Sequence, residues 1–144
     1  MSMQMPTRWR RIGFVALAVV NAALLVLLNA SPGWQSMTFL TEAFGEVIGL
    51  VNASLLCSLL FNTIAVFTRS LLLRGAGEAI VATVTLVTLA KVFVVFPFSL
   101  PSSGWELPVR VVLGIAMAGT FVTLVAGLGR VARALHLRGV RARD

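Results

Sequence analysis

The sequence has few of the residues that most often carry out chemistry in proteins. Its 144 residues include one cysteine, one histidine, five acidic residues and no tyrosine. Cys57 alone cannot form a disulfide within the chain, and no His, Cys, Asp and Glu residues recur at the spacing of a metal site. No glycine-rich phosphate loop occurs, nor a nucleophile with a plausible base. We therefore expect no enzyme, no metal and no cofactor.

Four long apolar runs dominate what is present, at about residues 12–30, 45–67, 79–98 and 110–129. A helix of about 20 residues reaches across a hydrocarbon core of about 30 Å. These runs are apolar around most of their circumference, whereas helices of a soluble bundle have a polar face. The predicted fold class is an all-α integral membrane protein, an antiparallel four-transmembrane-helix bundle. We expect one domain over residues 1–144, with residues 130–144 as a basic tail that prolongs the fourth helix.

Cationic residues are concentrated before the first run, between the second and third, and after the fourth. Segments rich in Lys and Arg usually stay in the cytoplasm. We therefore predict a multi-pass protein of the plasma or inner membrane, with both termini cytoplasmic, and the arginine-rich composition favours a bacterial source. The net charge of +7 then points to anionic lipid headgroups as partners and not to nucleic acid. The predicted headgroup contacts are Arg8, Arg10, Arg11, Arg130 and Arg133.

The two connections expected outside the membrane each contain a tryptophan after helix-breaking residues. Trp34 follows Pro32-Gly33, and Trp105 follows Ser103-Gly104. Indole rings favour the membrane interface because one edge is apolar and the N–H group binds water or a headgroup. We predict that both tryptophans are interface anchors.

Charged residues near the outer ends of the apolar runs form a candidate site within the membrane. Lys91 lies within the third run, where a charge costs about 2.5 to 3.5 kcal/mol unless it reaches the interface or a partner. Glu46 begins the second run at a comparable depth, so we predict a Glu46–Lys91 pair, joined by Arg110 and Glu106. The functional interpretation is a charged vestibule or ion path. The structural alternatives are a buried ion pair and side chains that reach the interface separately.

Two asparagines near the expected centres of the first two helices are candidates for a contact between them. Asn21 and Asn52 lie on antiparallel helices and are predicted to hydrogen-bond across the interface, which would set the register of the pair. A hydrated pore lining is the alternative interpretation.

Small residues recur at four-residue spacing in two runs, at Gly45 and Gly49 and at Gly114 and Ala118. This spacing lets two helix backbones approach closely. The pattern does not distinguish packing within the chain from packing between chains.

The absence of catalytic residues favours a protein that acts without catalysis. We expect an accessory or scaffold subunit that works through helix–helix contacts, in a homo-oligomer or in a larger membrane complex. The alternative is a small oligomeric channel or transporter with a polar path near Glu46 and Lys91. An enzyme acting on lipid-linked substrates is a third, less favoured hypothesis.

Overall fold

The chain folds into four long helices joined by short connections. The computed structural model describes residues 7–30, 32–68 and 70–141, and the side chains of residues 11–30, 32–68 and 70–137. All four helices are long and apolar enough to cross a membrane, which confirms the predicted apolar helices. Their bounds are α1 Thr7–Asn29, α2 Ile48–Phe67, α3 Leu71–Val95 and α4 Glu106–Arg141.

The third helix begins well before residue 79, where the sequence pattern placed its start. Ser70 caps it, because the Ser70 hydroxyl oxygen accepts a hydrogen bond from the Leu73 amide at 3.4 Å; such a cap stabilises a helix start. The helix ends at Val95, since Phe96 takes a left-handed conformation with φ 46° and Pro97 has no amide hydrogen to continue the helix. The earlier start brings Glu78 inside α3.

Neighbouring helices run antiparallel, and each packs on the next one along the chain, with α3 and α4 in the most extensive contact. Both described chain ends and the α2–α3 connection therefore lie at one end of the molecule, which we call the basic end. The connections 30–47 and 96–105 lie at the other, which we call the capped end. The antiparallel direction follows from the contacts Asn29–Asn52, Leu50–Thr88 and Phe93–Arg110.

Glycine allows α3 and α4 to approach closely near the basic end. A Cβ atom on Gly75 would lie 2.9 Å from the Gly127 carbonyl oxygen, and one on Gly127 would lie 3.0 Å from the Ala79 amide nitrogen. The small residues singled out in the sequence lie elsewhere: among the described residues, nothing is within 4 Å of a Cβ placed on Gly49 or Gly114. The close approach is therefore made by a pair that the four-residue pattern did not identify.

The two connections of the capped end are hydrogen-bonded to each other. The Thr41 amide donates to the Pro97 carbonyl at 3.0 Å, and the Ser99 amide donates to the Phe39 carbonyl at 2.8 Å. This short antiparallel bridge ties the α1–α2 hairpin to the α3–α4 hairpin.

A small apolar core lies beneath the bridge. It contains Phe44, Val47 and Val92, and Val47 has no exposed surface. Trp34 packs against this core, with its ring centroid 5.4 Å from that of Phe44. The core closes the space between the helices at the capped end.

Candidate functional site

A cleft of about 560 Å³ lies between the four helices, from their middle towards the basic end. In the described part of the chain α1 makes no substantial contact with α4, so the space between these two helices is not filled by packing. Half of the described residues that line the cleft are polar. On α1 and α2 these are Asn21, Ser58 and Asn62, and on α3 and α4 they are Glu78, Thr85, Thr120 and Thr123.

The two threonine hydroxyls of α4 donate their hydrogens within their own helix. Thr120 Oγ1 donates to the Ala116 carbonyl at 2.8 Å, and Thr123 Oγ1 donates to the Gly119 carbonyl at 3.0 Å. A hydroxyl has one hydrogen and two acceptor lone pairs. Each oxygen can therefore still accept a hydrogen bond.

The two lining asparagines use their amide hydrogens in the same way. Asn21 Nδ2 donates to the Leu17 carbonyl at 2.8 Å, and Asn62 Nδ2 donates to the Ser58 carbonyl at 2.7 Å. Asn62 has only 6% of its surface exposed. Because one amide hydrogen of each is used within its own helix, each side chain keeps its carbonyl oxygen and one hydrogen for other partners.

Glu78 is the only charged residue among the described residues that line the cleft. Its carboxylate forms an ion pair with Arg130 across the α3–α4 interface, one helical turn from the close approach of Gly75 and Gly127. Glu78 was not predicted as a site residue because the predicted third run began one residue after it. Gly75 and Gly77 stand directly before Glu78 and weaken a helix pattern. The apolar residues 71–73 ahead of these glycines were the available signal that the helix begins earlier.

Arg74 joins α2 to α3 at the basic end. Its Nε donates to the Thr68 carbonyl at 3.0 Å, and its terminal nitrogen donates to the Ala65 carbonyl at 3.2 Å. A cation at the carboxyl end of a helix is favourable because the last carbonyls lack partners within the helix. The guanidinium also lies 5.7 Å from the ring centroid of Phe14 on α1, so this residue contacts three helices.

The structure brings together only half of the charged cluster expected from the sequence. Arg110 Nε lies 2.9 Å from Glu106 Oε1, and the Arg110 guanidinium stacks over Phe96 at 4.4 Å. In the described part of the chain, Glu46 and Lys91 are exposed and do not form the expected ion pair.

The position of each residue explains why that pair is not formed. Lys91 lies on the exposed face of α3, one turn from Val87 and from Val94. Glu46 ends a short 3₁₀ helix that precedes α2. No residue of the predicted cluster lines the cleft.

The predicted bond between Asn21 and Asn52 is replaced by a different pair. Asn52 exchanges two hydrogen bonds with Asn29, at 2.7 and 2.8 Å. Because α2 starts at Ile48, Asn52 lies one turn from the capped end and opposite the last residue of α1. Asn21 lies two turns deeper and donates to its own helix.

The predicted anchors and headgroup contacts occupy different environments. Trp34 is half-buried in the core of the capped end, whereas Trp105 has 58% of its surface exposed. Arg11 and Arg133 are exposed, and Arg130 is paired with Glu78. The side chains of Arg8 and Arg10 lie outside the described residues.

No group of three or more His, Cys, Asp and Glu residues that could hold a metal ion occurs within the described ranges. Comparisons with protein-family models, curated proteins and solved structures found no match.

Proposed function

We propose that the four helices cross a bacterial cell membrane, with the basic end in the cytoplasm. Exposed large apolar side chains occur on all four helices, which suits contact with lipid. Arg11, Arg74 and Arg133 lie at the basic end, and positive charge favours the cytoplasmic side. Exposed arginines there would contact anionic headgroups, each contributing on the order of 1 kcal/mol.

We infer that the protein binds a small polar solute in the cleft, without catalysis, as a transporter or solute-binding subunit. The observation that carries this proposal is that polar side chains from four helices converge on one cleft. Polar residues in a membrane are costly and usually face a cavity or one another. The cleft, and not the surface around Glu46 and Lys91, is where we place the solute.

The capped end favours a carrier over an open channel. The cleft does not include the core residues Phe44, Val47 and Val92, which fill the space between the helices above it. A solute that enters from the basic end could leave at the capped end only if this core opened. Such alternating opening is how carriers move solutes.

An accessory or scaffold subunit is the second candidate. It is favoured by Gly114 on α4, which does not line the cleft, since nothing in the described structure lies within 4 Å of a Cβ atom placed there. Such a surface suits a helix of a second copy or of a larger membrane complex.

Cysteine accessibility separates the two candidates. In a Cys57→Ala background, Thr85→Cys places a thiol in the cleft, and Thr83→Cys places one on the exposed face of the same helix. Maleimides react with the thiolate, which forms in water and not in lipid. We expect a water-soluble maleimide to label Thr85→Cys in inside-out vesicles and to leave Thr83→Cys unlabelled.

Two results would oppose the solute-binding proposal. If Thr85→Cys is as inert as Thr83→Cys while both variants fold, the cleft holds no water and the scaffold candidate takes precedence. If Thr83→Cys is labelled equally, the exposed face of α3 is not in lipid, and the membrane placement itself fails.

A further inference from the structure

The cleft presents more hydrogen-bond acceptors than donors. Thr120 and Thr123 donate their only hydroxyl hydrogens to carbonyls of α4. Asn21 and Asn62 each donate one amide hydrogen to their own helix and keep their carbonyl oxygens. A ligand in this cleft would therefore meet a surface richer in oxygen lone pairs than in hydrogens.

The one charged group of the described lining is also a hydrogen-bond acceptor. Glu78 is a carboxylate, which accepts hydrogen bonds and does not donate them. Its Oε2 pairs with Arg130, and its other oxygen is a further acceptor. A lining of hydroxyl, amide and carboxylate oxygens is complementary to a donor-rich cation, since an ammonium group has three hydrogens and no acceptor.

Apart from Ser58 and Thr85, the other described residues that line the cleft are apolar, and they would contact an apolar part of the ligand. Phe14 and Phe61 meet edge to face, with ring centroids 6.3 Å apart, and both line the cleft with Leu17 and Val81. A volume of about 560 Å³ is far larger than a bare metal cation and lies in the range of small-molecule sites.

We propose that the cleft binds a primary ammonium cation with an apolar body. The ammonium group is held by the hydroxyl oxygens of Thr120 and Thr123, which lie one turn apart on α4, and the apolar body lies against Phe14 and Phe61. This assignment rests on the proposed function, because it names the chemical class of the solute.

Equilibrium dialysis of the purified full-length protein in detergent, with protein-free micelles subtracted, tests the assignment. The probe is phenethylammonium, and its neutral and anionic analogues are phenethyl alcohol and 3-phenylpropionate. We expect saturable binding of the cation in clear preference to both analogues. Thr120→Val with Thr123→Val should weaken that binding about tenfold or more, since bonds to charged groups contribute more than neutral ones.

Thr63→Val with Thr83→Val is the matched control. Both hydroxyls bond back to their own helices in the same way but lie outside the cleft, so this variant should bind the cation as the wild type does. Glu78→Gln should reduce the preference for the cation over the alcohol. Size-exclusion elution and helical circular dichroism establish that each variant is folded.

The proposal is overturned if phenethylammonium does not bind, or if the Thr120→Val with Thr123→Val variant binds it with unchanged affinity. Preference for the alcohol or the carboxylate also overturns it. In these cases labelling of Thr85→Cys still reports whether the cleft is hydrated, so a wrong solute class is distinguishable from a wrong site.

Discussion

At the scale of single residues, the Asn29–Asn52 pair shows how polar groups are accommodated between apolar helices. Each amide donates one hydrogen and accepts one from the other side chain. Neither residue can be changed alone without leaving an amide group that lacks its partner. The pair therefore sets the register of α1 against α2 at the capped end.

Replacing Asn29 by leucine should lower the free energy of unfolding by about 1 to 2 kcal/mol, because Asn52 is left without its partner. Adding Asn52→Leu should recover part of that loss. A double-mutant cycle measures the recovery, with each variant unfolded by dodecyl sulfate in detergent solution. Asn21→Leu is the control and should change stability little, since among the described residues Asn21 donates to the Leu17 carbonyl of its own helix and not to α2. Additive effects of the two changes at 29 and 52 would contradict a direct pair.

At the scale of helices, α3 and α4 approach closely because two glycines face each other. Gly75 and Gly127 let the backbones meet, and the Glu78–Arg130 ion pair lies beside them. By contrast, Gly114 on the same α4 helix faces open space. On the same helix, Gly127 thus lies in a close helix contact and Gly114 does not, and their spacing in the sequence does not reveal this difference.

Gly127→Ala should destabilise the protein by about 1 to 3 kcal/mol, because the added Cβ atom would lie 3.0 Å from the Ala79 amide nitrogen and force the helices apart. Gly114→Ala should be neutral or stabilising by up to about 1 kcal/mol, since alanine favours a helix more than glycine does. Unfolding by dodecyl sulfate measures the change in the free energy of unfolding for each variant. Equal effects would mean that the α3–α4 contact is not as close as described.

At the scale of the whole molecule, charge and shape divide the protein into two unlike ends. The capped end is closed by hydrogen bonds between its two connections and by the core around Val47. The basic end holds Arg74 and Arg130, and the cleft extends from the middle of the helices towards this end. In the proposed orientation, the basic end lies on the cytoplasmic side of the membrane and the capped end lies on the opposite side.

Labelling from either side of the cell membrane tests that orientation. In a Cys57→Ala background, Ser103→Cys lies at the capped end and His136→Cys near the end of α4, and both side chains are exposed. A membrane-impermeant maleimide should label Ser103→Cys in intact cells and label His136→Cys only after permeabilisation. The reverse pattern would place the arginine-rich end outside and contradict the positive-inside interpretation.

Much of the secondary structure follows from local sequence, and little of the site does. The lengths of the apolar runs indicated four helices because hydropathy is a property of each segment by itself. The charged cluster and the Asn21–Asn52 bond were predicted from depth alone. Depth is sensitive to where a helix starts, and α2 and α3 start at Ile48 and Leu71, not where their apolar runs begin.

The sequence by itself determined that this chain forms four long apolar helices, with arginine concentrated in alternate segments between and beside them. Only the tertiary structure decided which polar side chains share a cleft, since that depends on how each helix is rotated about its axis. Rotation is set by contacts between distant residues, such as Gly75 with Gly127 and Asn29 with Asn52. These contacts bring Glu78 and Thr120 to one cleft and leave Lys91 on the outer face of α3.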